Sequence, residues 1–515
     1  MNAARTTLPP NSRLESIQRA AAALTVWLVM AWPVAAATHR GDTIALPELG
    51  ESGAGLMTPA KEDALGQAWL RSFRASVRLY KDPLLYEYLE NLLFELASYS
   101  ELTIREFDLV VIDNPTINAF AVPGRVIGVH TGLFLHAESE AQLASVLAHE
   151  LAHLSQRHFA RSIEAAKRGN FVSLAGLLAG VVLAASGGGD AATAAIVGSQ
   201  AAALDSQLRY SRLHEKEADR AGMKTLVSAG YPPSAVADMF RQMLDAARLN
   251  GSNIPEFLRT HPVTESRVTD ASNRARQLAQ HTQKPSIDYA LMRARIEVLG
   301  AADIGAAITD YQKRLHSIEK ASKGNDNTAA SESQMVAANA NRYGLALALY
   351  QNKQYALAKK TIAPLLQHVP GRIPYALLDI EIDAASGQAS SAERRLRDLN
   401  ALIPNNYAIG MLLAEQLARH GSHQDAATVL LKLATARPQQ ADSWYQLAEV
   451  QGQAGNIVEL HQARAEFFVL RANFQQARKQ LQYALKISNN NYLQAAKIKQ
   501  RIADIAALEL AQKSL

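Results

Sequence analysis

Apolar positions divide the chain into stretches of different period. From about residue 60 to 100 they recur at helical spacing. "FDLVVIDNPTINAFAVPGRVIGVHTGLF" (107–134) then switches to short β-rich runs separated by Asn114–Pro115 and Pro123–Gly124, which predicts a hairpin or small sheet. Ser139 with Gln142 three residues on forms a capping box, so a helix is expected from there to about Gly169. Leu143, Val146, Leu147, Leu151 and Leu154 give that helix an apolar face. Residues 171–204 are small and apolar, interrupted by Gly187–Gly189. They read either as a buried helical hairpin or as a lid or membrane-touching loop. Further helices are expected over about 206–229, ending at Gly230 before Pro232–Pro233, then over 234–248 and 263–280.

Both ends of the chain have a different character. Arg13 and Arg19 precede the apolar run "AAALTVWLVMAW", followed by Pro33 and small residues. This is the pattern of a secretory signal peptide over 1–37, with an uncleaved anchor as the alternative. The polar stretch "KASKGNDNTAASESQ" reads as a linker, placed at 318–334. Beyond it Pro370, Pro404 and Pro438 recur every 34 residues. Ala358, Ala392 and Ala426 keep the same interval, as do Gly387, Gly421 and Gly455. A 34-residue period closed by proline marks tetratricopeptide repeats, helix hairpins that stack into a concave groove for peptides or partner proteins. The expected architecture is mainly α: a helical, zincin-like domain with a small β-sheet over 38–317, then an α-solenoid of repeats over 335–515.

Composition narrows the chemistry. The 515 residues are 48% hydrophobic and 20% charged, ordinary for a globular chain, and the net charge of +5 comes with no basic block that would suggest nucleic acid. There is no cysteine, so disulfides, thiolate metal sites and cysteine nucleophiles are excluded. Any metal must be held by His, Asp or Glu.

His149-Glu150-Leu151-Ala152-His153 is such a candidate. On a helix, residues four apart share a face, so both imidazoles can reach one tetrahedral zinc, while Glu150 is placed to touch an attacking water without binding the metal. Gln156 and Phe159 stand where a metzincin would need Gly and His, and His158, one residue out of register, reads as an exposed or capping side chain. The third ligand is sought in "RLHEKEADRAG" (212–222), where Glu215, Asp219 and Gly222 share a face. Glu215 would complete a His₂Glu site, Asp219 would accept a hydrogen bond from a ligand imidazole, and Gly222 would let the two helices approach closely. A charged solvent face is the plain alternative, and Glu217 is the rival ligand. His261, before Pro262, reads from sequence as a turn residue.

The segments "INAFAVPG" (117–124), "HTGL" (130–133), "LAHELAH" (147–153), "RYSRLHEKEADRAG" (209–222) and "THPVTESR" (260–267) resemble, in content and order, the zinc peptidase family that includes the membrane CAAX prenyl protease. With a signal peptide and C-terminal repeats, the chain resembles a periplasmic branch of that family. The resemblance implies one Zn²⁺ held by His149, His153 and Glu215, Glu150 as general base and Asp219 in support. It implies that His261 fills a fourth zinc position and keeps the enzyme latent, or stabilises the oxyanion instead. It also implies that Asn118, Ala119 and Phe120 form an edge strand that holds substrate extended. Relatives tend to carry a second glycine where this chain has Arg125, which leaves the turn after that strand open. The implied substrates are misassembled outer-membrane β-barrel proteins. The barrel assembly machinery and the lipopolysaccharide translocon are the implied partners of the repeats, and peripheral membrane association is compatible with both. A chaperone or adaptor, with binding carried by the repeats and little proteolysis, is the competing reading. An integral membrane protease would need long apolar spans that this sequence lacks.

Overall fold

A computed structural model describes residues 57–166, 201–249, 256–278, 281–282, 285–322, 328–488 and 491–514. The expected signal peptide and residues 171–200 lie outside them.

Two helices open the fold, α1 (Pro59–Ser76) and α2 (Pro83–Ser98), each with proline in its first turn and a side-chain cap, Thr58 and Asp82. A three-stranded sheet follows: β1 (Asp108–Ile112), β2 (Ala119–Val122) and β3 (Val126–His130). The order is β1-β3-β2, with β3 parallel to β1 and antiparallel to β2, so β2 lies at an edge. The β2–β3 hairpin turns through Gly124 and Arg125, both left-handed (φ 75° and 61°). Arg125 thus adopts a conformation that glycine takes more readily, and its guanidinium lies 3.3 Å from Asp63.

The peptide then enters α3 (Thr131–His136), α4 (Glu140–Ser155) and α5 (His158–Ala166). Ser139 caps α4, accepting from Gln142 N, while the Gln142 side chain accepts from Glu138 N at 2.7 Å. The helix expected to run to Gly169 instead breaks at Arg157, which is left-handed (φ 50°), and α5 starts in a new direction. After it come α6 (Ala201–Ser228), α7 (Ser234–Leu249), α8 (Glu256–Thr260), α9 (Glu265–Gln277) and α10 (Ile287–Leu299).

The 318–334 linker is corrected by two helices, α11 (Ile304–Ser322) and α12 (Thr328–Gln351), which cover most of it. Its Lys, Glu, Ala and Gln residues are good helix formers, and polar composition alone does not separate an exposed helix face from a linker. The repeats proceed as antiparallel pairs: α12 with α13 (Tyr355–His368), α14 (Ile373–Ala385) with α15 (Ala389–Leu402), and α16 (Tyr407–Arg419) with α17 (His423–Ala436). Next come α18 (Ala441–Gln453) with α19 (Ile457–Val469), and α20 (Phe474–Ile487) with α21 (Tyr492–Ser514). The periodic glycines 387, 421 and 455 occupy the hairpin turns in left-handed conformation, and Lys353, 34 residues before Gly387, takes the same conformation (φ 60°). Ala358, Ala392 and Ala426 are fully buried.

One apolar core runs from Leu84 in α2 through Ala463 in α19, so the repeats and the first ten helices bury each other's apolar faces. Polar ties reinforce the contact. Arg437 reaches Glu87 and Glu90 at 2.9 Å each, Lys81 reaches Asp442 at 2.7 Å, and Arg71 donates to Gln512 at 2.9 Å. Asp82 has the most demanding position. One oxygen caps α2, the other accepts from Arg295 Nε at 2.7 Å, and Arg295 donates onward to Tyr343 in α12. Asp82 is buried and Arg295 largely so, with side chains 2% and 12% exposed, so removing one strands the other. Asp82→Ala is expected to lower unfolding stability by about 3–5 kcal/mol, read as a shift of the urea midpoint. Asp82→Asn, which keeps the cap, should cost less, and equal loss would locate the effect in the charge alone.

Candidate metal centre

The centre forms where α4 and α6 cross. A β-carbon added at Gly222 would lie 3.0 Å from both Cα and N of His149, so only glycine allows this approach without displacing backbone. The crossing brings Glu215 of α6 to the His149–His153 face of α4. Nε2 of the two histidines are 3.1 Å apart, His149 Nε2 lies 3.4 Å from Glu215 Oε2, and His153 Nε2 lies 3.5 Å from Glu215 Oε1. His261, in the turn after α8, comes within 2.9 Å of Glu215 Oε1 through Nδ1. One donor atom from each of His149, His153, Glu215 and His261 lies within 4.8 Å of the others. A tetrahedral ion bonded at about 2.0–2.1 Å needs donors about 3.3–3.4 Å apart, so imidazole and carboxylate donors at this spacing fit one small divalent cation.

The surrounding groups are buried and charged. Glu150 is 1% exposed, with Oε1 3.7 Å from His261 Nε2, and a backbone hydrogen bond from Ala121 in β2 ties it to the sheet edge. Asp219 Oδ1 stands 3.1 Å from His149 Nδ1. Burial would lower His149, but Asp219 and Glu215 outweigh it and raise its pKa to about 10. Burial would raise Glu215, yet the His261 and His149 charges hold it far below the carboxylate range. His153 is pushed well down by burial and by His149 and His261 beside it. Burial raises Glu150, with His261 and His149 opposing. The lowered pKa values of Glu215 and His153 keep both deprotonated, the form in which each would ligate a cation.

The structure brings together His149, Glu150, His153, Glu215, Asp219 and His261 from three separate chain segments. Asn118, Ala119 and Phe120 divide differently. Ala119 and Phe120 lie in β2 at the sheet edge, whereas Asn118 is buried just before the strand with its carbonyl accepting from His130 N, and the Phe120 ring packs into the core against Trp69 and Phe73. Glu217 is not among the donors. Its carboxylate pairs with Arg161 at 2.7 Å and His158 at 3.1 Å.

Two residues escaped the sequence reading. His158, expected to be an exposed or capping side chain, is 4% exposed and packed against His153, because the left-handed Arg157 turns the chain back. Arg267 of α9 clamps Asp219 with two hydrogen bonds of 2.6 and 2.8 Å, reaches Glu215 at 3.1 Å and donates to the Pro262 carbonyl at 2.8 Å. Its guanidinium lies over the Phe240 ring. The arginine was visible in "THPVTESR", but nothing in local spacing says that its helix faces inward.

An H-E-x-x-H helix crossed by a carboxylate-bearing helix, with a buried glutamate beside the donors, defines a metallopeptidase. The chain belongs to peptidase family M48, a family of metal-dependent peptidases, whose family model matches residues 83–275. It is 32% identical over 464 residues to the β-barrel assembly-enhancing protease of Escherichia coli (strain K12), covering 90% of this chain and 92% of that one. It is 34% identical over 450 residues to the putative β-barrel assembly-enhancing protease of Vibrio cholerae, covering 87% and 90%. The mitochondrial metalloendopeptidase OMA1 of Arabidopsis thaliana is 32% identical over 171 residues, covering 33% of this chain and 32% of that one.

The crossing distance should control the donors. Gly222→Ala is expected to weaken metal retention in chelator competition and to cost about 1–3 kcal/mol of stability. Gly371→Ala, where nothing lies within 4 Å of the added carbon, should change neither. Equal behaviour of the two variants would mean that the crossing does not set the site.

Proposed function

We propose that this chain is a periplasmic, zinc-dependent endopeptidase that acts on outer-membrane β-barrel proteins and is latent at rest. The observation that carries the reading is the four-residue donor cluster, with His149 and Glu215 buried and His153 and His261 half-buried, Glu150 beside it and the β2 edge within reach of Glu150. His149, His153 and Glu215 would hold the zinc, and Asp219 would orient His149. When bound, zinc lowers the pKa of a water toward ~7 and polarises the scissile carbonyl. Glu150 takes the proton of the attacking water and returns it to the leaving amine. The β2 backbone pairs with an extended substrate, which suits a chain that has failed to complete its own strand pairing.

The substrate class is supported by the names of the relatives, which are β-barrel assembly-enhancing proteases along nearly their whole length. In this reading residues 38–317 carry cleavage and residues 335–515 recruitment, with the solenoid groove as the surface for assembly-machinery partners such as the barrel assembly machinery and the lipopolysaccharide translocon. No described helix is long and apolar enough to cross a membrane.

The place of His261 as a fourth donor, with Nδ1 2.9 Å from Glu215 Oε1, supports the latent state in this reading. Two variants test the reading on a misfolded outer-membrane protein in vitro. Glu150→Gln should lower kcat by about 10²–10⁴ with metal content unchanged. Retained assembly-promoting activity in that variant would favour an adaptor role. His261→Ala should raise the rate of proteolysis. A fall would assign His261 to oxyanion stabilisation, and no change would remove it from the mechanism.

A further inference from the structure

His153 faces two different surroundings. Its Nε2 points into the donor cluster, 3.1 Å from His149 Nε2 and 3.5 Å from Glu215 Oε1. Its Nδ1 points away and meets Nδ1 of His158 at 2.9 Å. His158 Nε2 then lies 3.1 Å from Glu217 Oε2, which also accepts from Arg161 Nη1 at 2.7 Å. The His158 ring stacks on His214, with centroids 4.2 Å apart and planes 12° off parallel.

One placement of hydrogens satisfies this chain and leaves His153 able to bind a metal. The ionised Glu217 only accepts, so His158 Nε2 carries the hydrogen. Neutral His158 then offers a lone pair at Nδ1, His153 donates to it from Nδ1, and His153 Nε2 keeps a lone pair directed into the cluster. A hydrogen on both His158 nitrogens would reverse the first bond and turn an N–H of His153 toward the other donors.

The backbone is shaped for this contact. In an uninterrupted helix residue 158 would lie about 140° around the axis from residue 153, out of reach. The left-handed Arg157 reverses the chain between α4 and α5, and its own side chain is anchored by donating to the Met57 carbonyl at 2.8 Å. The two ligand imidazoles therefore have unlike supports. His149 has the Asp219 carboxylate directly at its distal nitrogen, whereas His153 has a carboxylate one imidazole removed.

We propose that His158 is a positioning residue for the metal ligand His153, with Glu217 as its anchor, forming an imidazole-bridged counterpart of the Asp219 support of His149. The proposal rests on the reading of His149, His153 and Glu215 as the metal site. Partners at the distal nitrogen of a metal-bound histidine fix the ring and its tautomer, and their loss typically weakens metal binding about 10–100-fold.

The test uses the full chain with zinc alone against a chromophoric chelator, and with cobalt(II) for its visible absorption. His158→Phe keeps the stacking on His214 but has no acceptor. It should lose about 10–100-fold in zinc affinity, shift the cobalt bands, and lower kcat with KM unchanged. His158→Asn, which places an amide oxygen near the Nδ1 position, should recover most of the loss. Wild-type affinity and spectrum in His158→Phe would overturn the proposal. So would equal weakening of the Phe and Asn variants, which would point to bulk instead of the acceptor. Should His158→Phe fail to fold by circular dichroism, Glu217→Ala decides: it is expected to lose zinc affinity several-fold although Glu217 is not a donor, and an unchanged affinity overturns the proposal. Wild-type protein that binds neither ion would instead refute the metal-site reading, and the positioning role with it.

Discussion

The site depends on the backbone contact between α4 and α6 at Gly222. Two helices usually pack with their axes 8–10 Å apart, a distance set by intervening side chains. Here one partner has none at the crossing, so α6 comes down onto His149. Glu215 and Asp219, two turns and one turn before Gly222, then reach opposite sides of the same imidazole, at its Nε2 and Nδ1. Such proximity gathers Glu150, Glu215 and Asp219 in a buried space, where unpaired carboxylates are costly. Arg267 answers that cost. It is 6% exposed, it pairs with both α6 carboxylates, and it holds the turn that carries His261. The donor geometry and the placement of the fourth histidine are thus two consequences of one crossing.

The repeats are part of the same body. They share a continuous core with the helices around the sheet, and the Asp82–Arg295–Tyr343 chain joins α2, α10 and α12 through buried polar groups. A partner that moves the repeats would act on α2 and α10, which pack against the repeats through that core. This is a mechanical argument for coupling, since packed interiors transmit displacement instead of absorbing it.

Much of the arrangement was legible in the sequence because it is written in local spacing. The capping box at Ser139, the i, i+4 histidines and the shared face of Glu215, Asp219 and Gly222 all follow from helical period, and the 34-residue recurrence of Pro, Ala and Gly announces the solenoid. The illegible parts depend on departures from that period or on distant packing. Arg157 and Lys353 adopt left-handed conformations that their residue types do not advertise. The first therefore hid the break that buries His158, and the second hid a repeat turn that glycine marks elsewhere. Arg267 sits on a helix of mostly exposed polar residues, and only the tertiary fold turns it inward. The 318–334 stretch misled because polar helix and polar linker share a composition.

The most direct measurement is the metal content of the purified chain beside that of Glu215→Ala, prepared without chelator. The account predicts about one zinc per wild-type chain, lost or strongly weakened in the variant while the fold persists. A metal-free wild type, or a variant that retains the metal equally well, would contradict it.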